Sequence, residues 1–113
     1  MIKGEFSNLK TSDVVLTSER DEHIRNHHPS DYKLYSSHLS EIIEEPDYIL
    51  KDEKNEATVI FIKHIENANV NIIIKLALET DEGDDKNSII TFYRLRKKNL
   101  EKLVNREKVI YKA

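Results

Sequence analysis

The chain has 113 residues, 38% of them hydrophobic and 35% charged, with two Gly, two Pro and no Cys. That mix fits one modest globular core and excludes collagen-like and wholly disordered chains. Without cysteine there is no disulfide framework, Cys-ligated zinc or thiol catalysis, and no apolar run approaches the roughly 20 residues of a membrane-spanning helix.

MIKGEFSNLK lacks the apolar core of a signal peptide, so a cytoplasmic protein with no membrane partner is expected. The net charge of −3 divides unevenly. Residues 1–85 hold 9 basic and 19 acidic side chains, whereas residues 86–113 hold 9 and 2. Arg94, Arg96, Lys97, Lys98 and Lys102 therefore form either an anion-facing surface or a solvated strand end and helix that balance the acidic front.

Residues 1–12 read as a loosely ordered extension of a single domain over 1–113. Asp13–Thr17 reads as a short strand, and Ser18 as an N-cap with Asp21 three residues on. A helix from about Glu19 to His27 follows, and Pro29 forces His28 out of helical geometry. Ser30 or Asp31 caps a second helix with Tyr32, Tyr35, Leu39, Ile42 and Ile43 on one face, ending at Pro46.

Strands are expected at Asp47–Lys51, Ala57–Ile65 and Val70–Leu78. In the last, Val70, Ile72, Ile74, Leu76 and Leu78 alternate without a break, so Asn71, Ile73, Lys75 and Ala77 point the other way. An acidic turn spans 79–86. In the strand Ser88–Leu95, Ile90 and Phe92 suit the core, with Ile89, Thr91 and Tyr93 on the opposite face. A basic helix over Lys97–Val104 and a last strand over Lys108–Tyr111 complete the chain. Helices first and strands afterwards indicate an α+β fold, N-terminal helices on an antiparallel sheet of about four strands.

His23-Ile24-Arg25-Asn26-His27-His28-Pro29 holds three of the five histidines. His23 and His27 lie one helical turn apart. Three readings compete: a zinc site, which lacks an obvious third ligand and the glutamate of HExxH; a solvated helix end; and acid–base chemistry. Lys75 sits in an otherwise apolar strand, where it either snorkels to the rim or faces an anion. If Thr91 and Tyr93 share its side of the sheet, a cation, a hydroxyl and a phenol converge beneath the histidine helix. Such a set suits metal-independent cleavage of RNA, which carries its own nucleophile in the 2′-hydroxyl. The protein then needs proton-transfer groups and a charge to neutralise the phosphorane, and no cofactor.

Thr17-Ser18-Glu19-Arg20 with His23-Ile24 and His28-Pro29 resembles the opening of phage and mobile-element nucleases of the barnase–EndoU–colicin–RelE fold. Glu45-Pro46-Asp47-Tyr48-Ile49 is similar to their helix-to-strand junction, Asn87 to Arg94 (NSIITFYR) to their most distinctive strand, and Val109-Ile110-Tyr111 to their tail. The likeness spans about residues 14–112. It implies a ribonuclease, free-standing or a terminal module, used as a toxin or effector with RNA as substrate and an immunity protein or antitoxin as partner. By position His23 and His28 match the family's helix histidines, Lys75 the lysine of the third strand, and Ser88, Thr91 and Tyr93 the polar positions of the NSIITFYR strand. The candidate catalytic residues are thus His23, His28, Lys75, Thr91 and Tyr93, with Ser88 and the nearby Arg25, His27, Arg94 and Arg96 as candidate substrate-binding residues.

One position departs from the pattern H-I-x-x-R-H: His27 stands where the arginine is expected. Arg25 points elsewhere on a helix, so if that arginine stabilises the phosphorane, either Lys75 or Arg94 compensates or activity is reduced. The family pairs His23 with His28, helical geometry pairs His23 with His27, and both stay open. The alternative is a non-catalytic RNA- or protein-binding module that keeps the nuclease fold.

Overall fold

The apolar stripe that starts at Val70 becomes an interior strand, and the molecule is built outward from it. The computed structural model describes residues 13–78 and 86–113, so the N-terminal extension and residues 79–85 of the acidic turn lie outside the described residues. In chain order the elements are β1 (Val14–Val15), α1 (Ser18–His27), α2 (Pro29–Tyr35), a 3-10 turn (Ser36–His38) and α3 (Leu39–Glu44). There follow β2 (Tyr48–Lys51), β3 (Thr58–Ile65), β4 (Ala68–Lys75), β5 (Asn87–Leu95), α4 (Lys97–Arg106) and β6 (Lys108–Lys112).

The six strands form one sheet in the order β1-β5-β4-β3-β2-β6. All pairings are antiparallel except that of β1 with β5. The α+β class holds, and the expected count of about four strands is corrected to six. The two extra strands sit at the edges. Both correspond to segments read as strands in the sequence, Asp13–Thr17 and Lys108–Tyr111; β1 is only two residues long, and β6 is mostly exposed.

Both faces of the sheet are covered. The first face carries Ile49, Val59, Phe61, Ile65, Val70, Ile72, Ile74, Ile89 and Phe92, packed under Ile24, Tyr35 and Ile42 of the N-terminal helices. Tyr32, Leu39 and Ile43 join the same core, so the apolar face of the expected second helix is realised. Its continuity is not: the helix breaks into two short α-segments around the 3-10 turn. Each fully buried aliphatic side chain in this layer contributes roughly 1.5–3 kcal/mol.

The second face carries Leu50, Ile60, Ile62 and Leu95, with Tyr48, Ile73 and Tyr93 beside them. Leu100, Leu103 and Val104 of α4 pack here, since α4 links β5 to β6 at the far edge and must cross this face. The buried Glu107 carboxylate fixes its end, accepting from the Glu53 N–H at 2.8 Å and from Arg106 Nε at 2.9 Å. Among the described residues no helix is long and apolar enough to cross a membrane.

A bulge corrects the alternation in β5. Ile73 pairs with Thr91 but Ile74 pairs with Ile89, leaving Ile90 as the extra residue. Ile89, not Ile90, therefore joins Phe92 in the first core. β4 ends at Lys75, sooner than its apolar pattern indicates, although one further bond toward β3 follows, from the Leu76 N–H to the Ala57 carbonyl at 2.7 Å.

Ala57 holds φ at 56°, in the left-handed region where a Cβ crowds the following carbonyl. Replacing Ala57 with Gly should raise unfolding free energy by about 1 kcal/mol in a urea titration, since glycine adopts this conformation without the clash.

Candidate functional site

Thr17, not Ser18, caps α1: its hydroxyl accepts from the Arg20 N–H at 3.2 Å. Glu19 and Asp21 lie in the first turn, where carboxylates complement the helix dipole. The helix stops at His28, whose φ of −133° and ψ of 60° are non-helical, as the following proline requires. Pro29 opens α2 at its first position, where a missing N–H costs nothing. His28 is thus the corner between two helices, its N–H bonded to the Ile24 carbonyl and its own carbonyl to the Tyr32 N–H.

The corner aims the His28 ring at the sheet. It stacks on Tyr93 with centroids 5.4 Å apart and planes at 21°. His23 and His27 stack on each other instead, at 4.0 Å and 22°. His27 Nδ1 lies 2.9 Å from the His23 carbonyl oxygen. A carbonyl can only accept, so that nitrogen carries the proton and Nε2 is left for other partners.

Arg25 is engaged in a clasp. Its guanidinium bonds Asp21 at 2.6 Å and the Tyr32 hydroxyl at 3.1 Å, and stands over the Tyr32 ring at 5.0 Å. The Tyr32 hydroxyl donates to the other Asp21 oxygen at 2.7 Å. The hydrogen bond and charge of Tyr32, then the Asp21 charge, push the Arg25 pKa up. Arg25 therefore braces α1 against α2.

On the sheet, cross-strand partners share a face. Lys75 pairs with Ser88, Ile73 with Thr91 and Asn71 with Tyr93, which puts Lys75, Ser88, Thr91 and Tyr93 on the second face. The histidine helices pack on the first face. Lys75 lines a groove of about 500 Å³ with Thr58, Ile73, Ile90 and the Asp52–Glu56 turn. His23 and His27 line a separate pocket of about 400 Å³ with Glu19, Arg20, Glu22 and Asn26. The structure brings together His28 with Tyr93, and His23 with His27; it does not bring the His23–His27 pair into the groove of Lys75.

Arg94 follows Tyr93, is exposed, and donates its backbone N–H to Asp31 at 3.3 Å. Among the described residues, no strand flanks β5 beyond Ser88 on this side, so Arg94 lies on an open edge beside the histidine corner. Arg96 is the exposed N-cap of α4. Among the described residues no three His, Asp or Glu side chains gather in an arrangement able to hold a metal ion.

Two buried asparagines carry more than their sequence positions indicate. Asn87 accepts from the Ala77 N–H at 2.8 Å through Oδ1, pinning the end of β4 to the start of β5. Its place at the head of NSIITFYR is the one sequence signal that marks it. Asn71 lies 1% exposed on the second face beside Tyr93, and only its position in the alternating stripe could have pointed to it.

Asp52 shapes the rim of the groove. Burial pulls its pKa up, but hydrogen bonds from the Asn55 side chain and the Lys54 and Asn55 N–H groups, with the Arg106 charge, outweigh this and hold it below the usual range. A lowered folded pKa stabilises above the unfolded value near ~3.9 and is lost as pH falls through the folded pKa. Asp52→Ala should therefore cost about 1 kcal/mol at pH 7, and chemical denaturation across a pH series should show the gap to wild type narrowing as the pH falls below the ordinary aspartate range.

The profile of the family described as phage-Barnase-EndoU-ColicinE5/D-RelE like nuclease3 matches residues 4–102. No curated protein and no solved structure matches the chain.

Proposed function

The chain belongs to this phage nuclease family, and from that premise we propose that it is a metal-independent endoribonuclease acting as a phage or bacterial toxin. The 2′-hydroxyl of RNA attacks the adjacent phosphorus as its proton passes to an imidazole. The bond to the 5′-oxygen breaks as a second imidazole protonates that oxygen, and the products are a 2′,3′-cyclic phosphate and a 5′-hydroxyl.

The observation that carries this reading is the stack of His28 on Tyr93, which ties the histidine corner to the NSIITFYR strand. His28 is one proton-transfer group, and the stacked His23–His27 pair supplies the other. The Tyr93 phenol and the exposed Arg94 guanidinium meet the charge that develops on the phosphorane. Arg94 thereby takes the part of the arginine replaced by His27.

Lys75 and Ser88 lie along the same face, about 13 Å from Asn71 and Tyr93 at the usual rise per residue. They hold a neighbouring phosphate of the strand, so Lys75 serves binding more than chemistry. RNA is the partner, with an inhibitor protein in the producing cell.

The test is cleavage of RNA in EDTA by purified protein, with product ends identified. Cyclic phosphate ends are expected from wild type, and His28→Ala should lower the rate roughly 100- to 10,000-fold. Lys75→Ala should raise KM about tenfold with kcat within about twofold, because a distant phosphate contact is equal in ground and transition states.

His27 in place of the expected arginine favours one rival, a binding module that has lost its chemistry. Wild-type protein inert on RNA, yet binding it with a steep loss of affinity as salt rises, would establish that rival.

A further inference from the structure

From Arg94 to Arg106 the chain holds six basic side chains and one acidic, and beyond Arg94 the chemistry proposed above uses none of them. Arg96 is the N-cap of α4, and Lys97, Lys98, Lys102 and Arg106 lie on the helix. All of them are exposed.

The helical period sorts these charges. Leu100, Leu103 and Val104 pack against the second face of the sheet, so the opposite side of α4 looks outward. Lys98, Lys102 and Arg106 recur at every fourth position on that outer side, about 6 Å apart along the axis at 1.5 Å per residue. Glu101 turns instead toward a small pocket that it lines with Tyr48 and Lys97. Arg106 Nε is held by the Glu107 carboxylate at 2.9 Å. Among the described residues no ion pair engages Arg96, Lys98 or Lys102. Like charges one turn apart repel, and an anionic partner would relieve that repulsion.

We propose that the outer stripe of α4 is a track for the phosphate backbone of the RNA strand, with Lys98 and Lys102 as its contacts and Arg96 as the link to the cleavage site. Tyr93 makes the two surfaces continuous. It stacks on His28 and packs in the same cluster as Leu100, Leu103 and Val104. The pitch of the lysines is of the same order as the step between successive phosphates of an extended strand. Contacts of this kind hold a strand in place without reading its bases. The rest of the chain is unfavourable to a polyanion, since residues 1–85 hold 19 acidic side chains against 9 basic. The field therefore steers a strand onto this side. An acidic protein would feel the same field, but the stripe continues the rim where a phosphodiester meets His28 and Tyr93, which favours RNA. For its substrate class the track rests on the ribonuclease reading above.

The experiment measures binding of a 2′-O-methyl RNA dodecamer, uncleavable because its nucleophile is blocked, by fluorescence anisotropy across a salt series. Replacing two phosphate contacts in the double variant Lys98→Gln, Lys102→Gln should flatten the slope of log affinity against log salt by about 1.4, at roughly 0.7 per contact on a single strand. Affinity at low salt should fall about tenfold, alike for adenine-rich and uracil-rich strands. With cleavable substrates, kcat/KM should fall about tenfold for the dodecamer and stay within about twofold for a dinucleotide, whose single phosphate occupies the rim. A slope unchanged by the double substitution overturns the proposal and leaves the stripe to an acidic protein partner. An equal loss for dinucleotide and dodecamer overturns it as well, since that is a general effect of charge. Dodecamer binding that shows the expected slope change, by a protein that cleaves no RNA, removes the ribonuclease reading and leaves the track standing.

Discussion

The single extra residue in β5 decides which side chains can act together. In a regular strand Ser88 and Thr91, three positions apart, point to opposite faces. The bulge at Ile90 resets the alternation, so Ser88 opposite Lys75 and Thr91 opposite Ile73 both face the second side. It also lets Ile89 and Phe92, likewise three apart, share the first core. One inserted residue thereby assembles the polar row of Lys75, Ser88, Thr91 and Tyr93 and completes the hydrophobic layer beneath it.

The second determinant is the corner at His28. Pro29 expels its predecessor from the helix, and the chain turns so that one histidine leaves its neighbours and meets Tyr93. His23 and His27 stay on the helix as a stacked pair, and the Arg25–Asp21–Tyr32 clasp keeps the two helices at a set angle. The helices cover one face of the sheet and the groove of Lys75 opens on the other. Contact between the two halves of the site is thus confined to the open rim of β5.

Much of this was legible in the residues because it depends on local physics. The Val70 stripe, the proline break and the apolar face from Tyr32 to Ile43 each follow from spacing alone. The bulge was not legible, since Ile89 and Ile90 are chemically identical and only pairing with β4 decides which one turns inward. The 3-10 interruption at Ser36–His38 was equally hidden, because two short helices and one long one present the same periodicity. Asn71 reads as a polar residue on a solvated face until β3, β5 and α4 close around it. The histidines were visible as a cluster, but their division between a helix pair and a sheet contact is a matter of backbone direction at one residue.

β1 bears on how the protein can be handled. Its pairing with Asn87 and Ser88 brings the chain into the fold beside the candidate site, whereas Ala113 is bonded to Asp47 at the far edge of the sheet. Because β1 runs parallel to β5, Asp13 lies at the Asn87 end of that strand, away from Tyr93. An affinity tag or fluorescent reporter attached after Ala113 departs from the opposite border of the sheet and leaves the His28–Tyr93 rim accessible.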